Sequence, residues 1–139
     1  MAEALLKARM PESWRGEVEV SSAGTIAWDG HPATAAAVEA VAELGIDLSA
    51  HQARRLSKKL VWEADLVVAM AEEHAEAVLS LDPGAEPKLL RLGELDPERE
   101  EADIADPIGG DRAVYTASRD EIDRLVSRLV RYISDKFNV

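Results

Sequence analysis

Six consecutive residues, Asp65-Leu66-Val67-Val68-Ala69-Met70, restrict the fold of this chain more than any other stretch. An unbroken apolar run of this length suits a strand covered on both faces, and such strands belong to parallel sheets whose crossovers carry helices. Lys88-Leu89-Leu90-Arg91-Leu92 reads as a second strand. Val18, Val20 and Ser22 alternate with Glu19 and Ser21 and predict a third. Helical spacing fills the intervals: Leu5 and Leu6 within Met1 to Arg9, Ala37, Val38, Val41 and Leu44 within Thr34 to Leu44, and Ala75, Val78 and Leu79 within Ala71 to Leu81. Ser57 to Ala64 predicts a short helix, and Gly45 reads as a helix stop. The last helix spans about Asp111 to Phe137, with Ile122, Leu125, Val126, Leu129, Val130 and Ile133 on one stripe. Ser118 and Glu121 have capping-box spacing inside it. Alternating helices and strands predict an α/β fold with helices on both faces of a parallel sheet, and sites in such folds lie at the carboxyl ends of strands.

Composition narrows the function. The 139 residues suit one domain, 1–139. With 16 Lys plus Arg against 27 Asp plus Glu, the net charge is −11, which repels phosphate backbones and argues against a nucleic-acid partner. No apolar run approaches the roughly 20 residues of a membrane span, and the start does not read as a signal peptide. There is no cysteine, so disulfides, thiolate chemistry and cysteine-ligated zinc have no residue to act through. His31, His51 and His74 lack ligand spacing. No metal and no cofactor are expected.

Chemistry is expected on the loops. Ala102 to Asp111 joins the last strand to the last helix, and Asp106-Pro107 within it is a stiff turn. A carboxylate held at a set angle there suits a general acid or base; the competing reading is a loop that only leads into a helix. Gly109-Gly110 frees the backbone before Asp111, a natural N-cap. Ser21-Ser22-Ala23-Gly24-Thr25 is small enough to admit something close by. Trp28 either walls a cleft or folds over the core. His51 is either a buried hydrogen-bonding histidine or an exposed one. Arg54-Arg55 and Lys58-Lys59 form a basic patch in an acidic chain, either an anion site or a solvated face. His74, among Glu72, Glu73 and Glu76, reads as a wet face.

Taken together, several motifs resemble the low-molecular-weight protein tyrosine phosphatases, including their bacterial arginine phosphatase branch. They are Met-Ala-Glu-Ala-Leu-Leu from Met1, Ser-Ser-Ala-Gly-Thr from Ser21, and Gly-Ile-Asp-Leu-Ser-Ala-His-Gln-Ala-Arg from Gly45. Ala-Asp-Leu-Val-Val-Ala-Met from Ala64, Asp-Pro-Ile-Gly-Gly-Asp from Asp106 and Tyr-Thr-Ala-Ser-Arg-Asp-Glu-Ile from Tyr115 follow in family order. The resemblance implies a three-layer α/β sandwich with a short parallel sheet. It implies hydrolysis of a phosphomonoester or phosphoarginine on a protein, through a cysteinyl-phosphate, in the cytoplasm. It makes Asp106 the general acid, Ser22 and His51 supports of the phosphate loop, and Trp28 and Ile108 parts of the cleft wall. Tyrosine-specific members often carry an aromatic residue where Ile108 stands, which leaves phosphotyrosine and phosphoarginine both open.

The family opens with a strand and a C-x-x-x-x-x-R phosphate loop ahead of the Met-Ala-Glu helix, and neither is found here. The uncapped start of the first helix agrees with that, since the phosphate loop would precede it. One expectation is therefore a phosphatase truncated at its first central strand, inactive in this form. The other is a pseudophosphatase that binds an anion or a protein partner without chemistry. The same resemblance predicts three parallel strands with facing edges left open, and marginal stability or association through them.

Overall fold

The computed structural model describes all 139 residues. Five α-helices form, α1 (Ala2–Arg9), α2 (Ala35–Ala42), α3 (Lys58–Glu63), α4 (Glu72–Leu81) and α5 (Arg112–Phe137). Two strands form, β1 (Val67–Ala69) and β2 (Leu89–Arg91). The chain divides into two compact units: Met1–Ser22, Pro32–Gln52 and Asp106–Val139 make the first, and Ala23–His31 with Ala53–Ala105 the second.

The first unit is helical and built on α5, which packs against α1 and α2. Five of the six residues of the predicted stripe, Ile122, Leu125, Val126, Leu129 and Ile133, are core residues, and Val130 is half-buried. Leu5 and Leu6 of α1 join the buried set. Each fully buried leucine here contributes about 1.5–3 kcal/mol relative to exposure. A second core group gathers Ala37, Ala40, Val41, Leu48 and Tyr115. Thr34 caps α2 by accepting the Ala37 N–H at 3.3 Å, and its hydroxyl lies 3.3 Å from Tyr115 Oη. Arg9 grips Asp123 through both carboxylate oxygens, at 2.8 and 2.9 Å, which ties α1 to α5. Trp14 is 2% exposed in a 3₁₀ turn, Glu12–Trp14.

Two expectations for this unit change. Val18 to Ser22 forms no strand. Alternation gives a segment two faces, but a strand also needs a ladder along one edge, and no ladder pairs these residues with a strand. Ser118 is no cap: it sits inside α5, buried, with its hydroxyl unpartnered. The cap is Asp111, whose carboxylate accepts the Val114 N–H at 3.0 Å.

The second unit holds the sheet. β1 and β2 pair in parallel, Val67 opposite Leu89, Val68 opposite Leu90 and Ala69 opposite Arg91. The sheet has these two strands and not three. β1 is paired along one edge, so Val67 and Val68 are half-buried and not sealed on both sides. Val61, Val78 and Ala85 form the core beneath, with Leu56, Val67 and Leu89 packed against it. Lys88 Nζ donates to the carbonyls of Val61 and Ala64, both at 2.7 Å, and so completes the C-terminal turn of α3. Past β2, the Ile104 N–H donates to the Met70 carbonyl at 2.8 Å, which anchors the outgoing loop at the carboxyl end of β1. The class is α/β with a short parallel sheet, as the alternation of elements predicts.

Candidate functional site

The segment from Asp106 to Asp111 is a sequence of nested turns. Proline fixes φ at Pro107, and Asp106 Oδ1 accepts the Ile108 N–H at 3.0 Å, closing an Asx turn. The Gly110 N–H then donates to the Pro107 carbonyl at 2.9 Å. Gly109 at φ +80° supplies the left-handed backbone that this second turn requires. The third link is the Asp111 cap, which fastens the loop to the first turn of α5, where Tyr115 is buried. Asp106 itself is exposed, and its Oδ2 has no hydrogen-bond partner in the protein. The result is a carboxylate with one oxygen held by its own loop and one presented outward. That geometry suits proton transfer to or from a bound group. Ile108, in the same turn, is 69% exposed.

His51 lies on another part of the first unit, half-buried, with Nδ1 3.6 Å from Glu3 Oε2. Lys7 Nζ approaches the same oxygen at 3.7 Å. Sequence patterning places Glu3 on α1 with no indication of this meeting. The only signal is the negative charge in the first turn, which also complements the helix dipole. His51 and Glu3 border an open groove of about 520 Å³ between α1 and the Gly45–His51 segment. α1 begins without a side-chain cap at Met1, so its first N–H groups have no side-chain acceptor. Nearby, Asp47 accepts both the Ser49 hydroxyl at 2.6 Å and the Ser49 N–H at 2.9 Å, which holds its carboxyl below the usual range. Ser22 is exposed at the end of its segment. Asp106 and Ile108 are thus brought together in one turn, while His51 meets Glu3 instead.

Trp28 belongs to the second unit and is 75% exposed, which decides between its two readings in favour of a surface indole. It sits on a loop pinned at both ends. The Gly24 N–H donates to the Arg54 carbonyl, and the Gly30 N–H donates to the Ala53 carbonyl. The basic patch beside it is exposed. His74 is half-buried, with Nε2 3.7 Å from Glu73 Oε1. No cluster of three His, Cys, Asp or Glu side chains has the arrangement of a metal site.

Comparison with known proteins gives a consistent picture. The family model described as low molecular weight phosphotyrosine protein phosphatase matches residues 1–138. The chain is 37% identical over 130 residues to a probable low molecular weight protein-tyrosine-phosphatase, EpsP, of Ralstonia nicotianae, covering 94% of this chain and 83% of that one. It is 35% identical over 133 residues to a protein-arginine-phosphatase of Bacillus subtilis, covering 96% and 87%. The YwlE arginine phosphatase from Geobacillus stearothermophilus superposes with a TM-score of 0.85 at 34% identity, over 97% of this chain and 84% of that one.

Proposed function

Because this chain belongs to the low molecular weight phosphotyrosine protein phosphatase family, we propose that it is the acid-and-walls portion of a phosphatase acting on phosphotyrosine or phosphoarginine in proteins. The whole chain, 1–139, is read as one phosphatase-like domain. Asp106 is the general acid: it gives a proton to the leaving oxygen of an aryl phosphate, or to the leaving guanidino nitrogen of phosphoarginine, as the bond to phosphorus breaks. Ser22 and His51 support the phosphate loop, and Trp28 and Ile108 line the cleft. No cofactor, metal, nucleic acid or membrane enters this reading, and the working compartment is the cytoplasm. No helix is long and apolar enough to cross a membrane.

One observation carries the proposal: a family match across the chain, with Asp106 held by the Ile108 N–H in a turn that leaves its second oxygen outward. The family's phosphoryl transfer needs a thiolate, and the 139 residues contain no cysteine. This form is therefore read as inactive. Purified chain assayed with an aryl phosphate is expected to show no turnover. Robust hydrolysis, abolished by Asp106→Asn, overturns the reading, because it requires another nucleophile.

The same lack of cysteine favours a second reading, a pseudophosphatase that binds an anion or a protein partner. Genomic sequence ahead of the Met1 codon separates the two. An in-frame Cys-x5-Arg followed by Ser-Pro supports the enzyme, and a stop codon close upstream supports the binding protein.

A further inference from the structure

Asp103 stands at the centre of a set of contacts that fasten the chain just ahead of the Asp106 turn. Its Oδ1 accepts the Glu72 N–H at 2.8 Å. Glu72 is the first residue of α4, and Ala71 before it has no side chain able to cap a helix. A residue 31 positions away in sequence thus supplies the acceptor that the α4 N-terminus lacks. The same oxygen lies 3.4 Å from Arg91 Nη1. Arg91 also reaches Glu72 at 3.0 Å and Glu94 at 2.8 Å. The backbone here is held as well. The Asp103 carbonyl accepts Arg99 Nη2 at 3.1 Å, and the N–H of Ile104, a buried residue, donates to the Met70 carbonyl at 2.8 Å. One residue earlier, the Ala102 carbonyl lies against Gly93, close to where a Cβ would stand. All of these residues belong to the second unit.

A local cap would serve α4 equally well. Ala71 has the extended backbone of a capping residue, φ −146° and ψ 164°, so a serine or aspartate there could accept from the first turn. Taking the acceptor from Asp103 instead ties the helix to the outgoing chain. Proline at 107 and the Asx turn stiffen the acid's own turn, so freedom in the direction of the Asp106 carboxylate enters through the segment before it. With Ile104 fixed to Met70, only Ala105 separates the fastened chain from Asp106. Proton transfer in a transition state is sensitive to such placement: an error of about 1 Å costs up to about 100-fold in rate.

We propose that Asp103 is a positioning residue for Asp106. By capping α4 from the outgoing loop, it fixes the point from which the chain enters the Asp106 turn, and with it the direction of the acid. The inference rests on the phosphatase reading for the role of Asp106, but the tether itself needs neither phosphate nor turnover.

The tether is tested in the 139-residue chain by ¹⁵N relaxation. Asp103→Ala should loosen the Ile104 and Ile108 amides, taking their order parameters toward the flexible range, below about 0.6. Asp103→Asn keeps an acceptor for the Glu72 N–H and should leave both amides as they are in the unsubstituted chain. Ala71→Ser combined with Asp103→Ala returns a cap to α4 without the tether. That double variant should recover the urea midpoint while Ile104 and Ile108 stay mobile, and it carries the test should the single variant not fold. An unchanged Ile108 amide in Asp103→Ala, or its recovery in the double variant, overturns the proposal, because Asp103 is then a helix cap and nothing more. In a version carrying the family's Cys-x5-Arg loop ahead of Met1, Asp103→Ala should lower kcat roughly 10- to 100-fold on a poor leaving group and about twofold or less on a nitrophenol, at unchanged KM. Equal losses on both leaving groups also overturn it. Failure of the phosphatase reading is seen separately: Asp106→Ala then leaves the leaving-group dependence of kcat unaltered, while the Ile104 and Ile108 amides still respond to Asp103→Ala.

Discussion

Arg119 Nη1 lies 2.7 Å from Glu43 Oε2 and 2.8 Å from the Ala40 carbonyl, so one side chain of α5 closes the C-terminal turn of α2. Arg119 is 7% exposed, and its guanidinium also meets Asp120 at 2.8 Å. A carbonyl in the last turn of a helix has no intrahelical donor, and here an arginine from another helix supplies one. Replacing Arg119 by Ala removes that donor and the packing of its stem together. The expected loss is about 1–3 kcal/mol, seen as a lower midpoint in urea unfolding. An unchanged midpoint would show that water replaces the guanidinium at no cost.

Glu43 gives the same contact a pH signature. Hydrogen bonds from Arg112, and then from Arg119, hold its carboxyl below the ordinary 4.5. A carboxyl depressed on folding stabilises the fold fully above its unfolded pKa, and that stabilisation is lost as pH falls through the folded value. The wild-type chain should therefore lose stability more steeply below about pH 4.5 than Glu43→Gln does. Parallel acid-unfolding curves for the two proteins refute this.

These contacts mark the boundary of what the sequence makes legible. Leu125 and Val126 belong to a stripe that runs from Ile122 to Ile133, about three turns of α5, and such a stripe has one physical meaning, so α5 and its core face are read correctly. The Asp106 loop is equally legible, because Pro107, Gly109 and Asp111 each fix the backbone through local chemistry. Val18 to Ser22 fails as a strand because alternation records two faces and is silent about a neighbour's hydrogen bonds. Lys88 and Glu3 escape for a different reason: each acts on a residue distant in sequence. The meeting of His51 with Glu3 joins residues 48 positions apart, and no local pattern encodes it. Trp28 was open in the sequence for the same reason, since exposure is a property of the folded surface.

Ser118 is a stabilising target. Its hydroxyl is buried in α5 with no hydrogen-bond partner, the costlier state for a polar group. Ser118→Ala removes the orphan and installs the best helix former. The chain should gain about 0.5–1.5 kcal/mol in thermal or urea unfolding. A loss of stability would mean that the hydroxyl fills space the methyl cannot.

Gly93 lies under the loop that leads out of the sheet, and a Cβ there would run into the Ala102 carbonyl. Backbone offers no rotamer to relieve that contact, so the loop must shift. Gly93→Ala should destabilise by about 1–3 kcal/mol and increase hydrogen exchange at Ile104, whose N–H anchors the loop to Met70. Unaltered exchange at Ile104 would show that the strain is absorbed elsewhere.

Asp106 can be tested through the leaving group. In a version of the chain carrying the family's Cys-x5-Arg loop ahead of Met1, Asp106→Ala should lower kcat by roughly two to four decades on a poor leaving group such as an alkyl-substituted phenol, with little effect on substrate affinity. The proton moves only as the bond to phosphorus breaks, so its loss is felt in the transition state and not on binding. A phenol made acidic by nitro substitution departs without that proton, and there the same substitution should cost much less. The slope of log kcat against leaving-group pKa should therefore steepen in the variant. If Asp106 only shapes the loop through its bond to the Ile108 N–H, Asp106→Asn, which retains an acceptor oxygen, restores the rate on every substrate and the slope stays that of the unsubstituted protein.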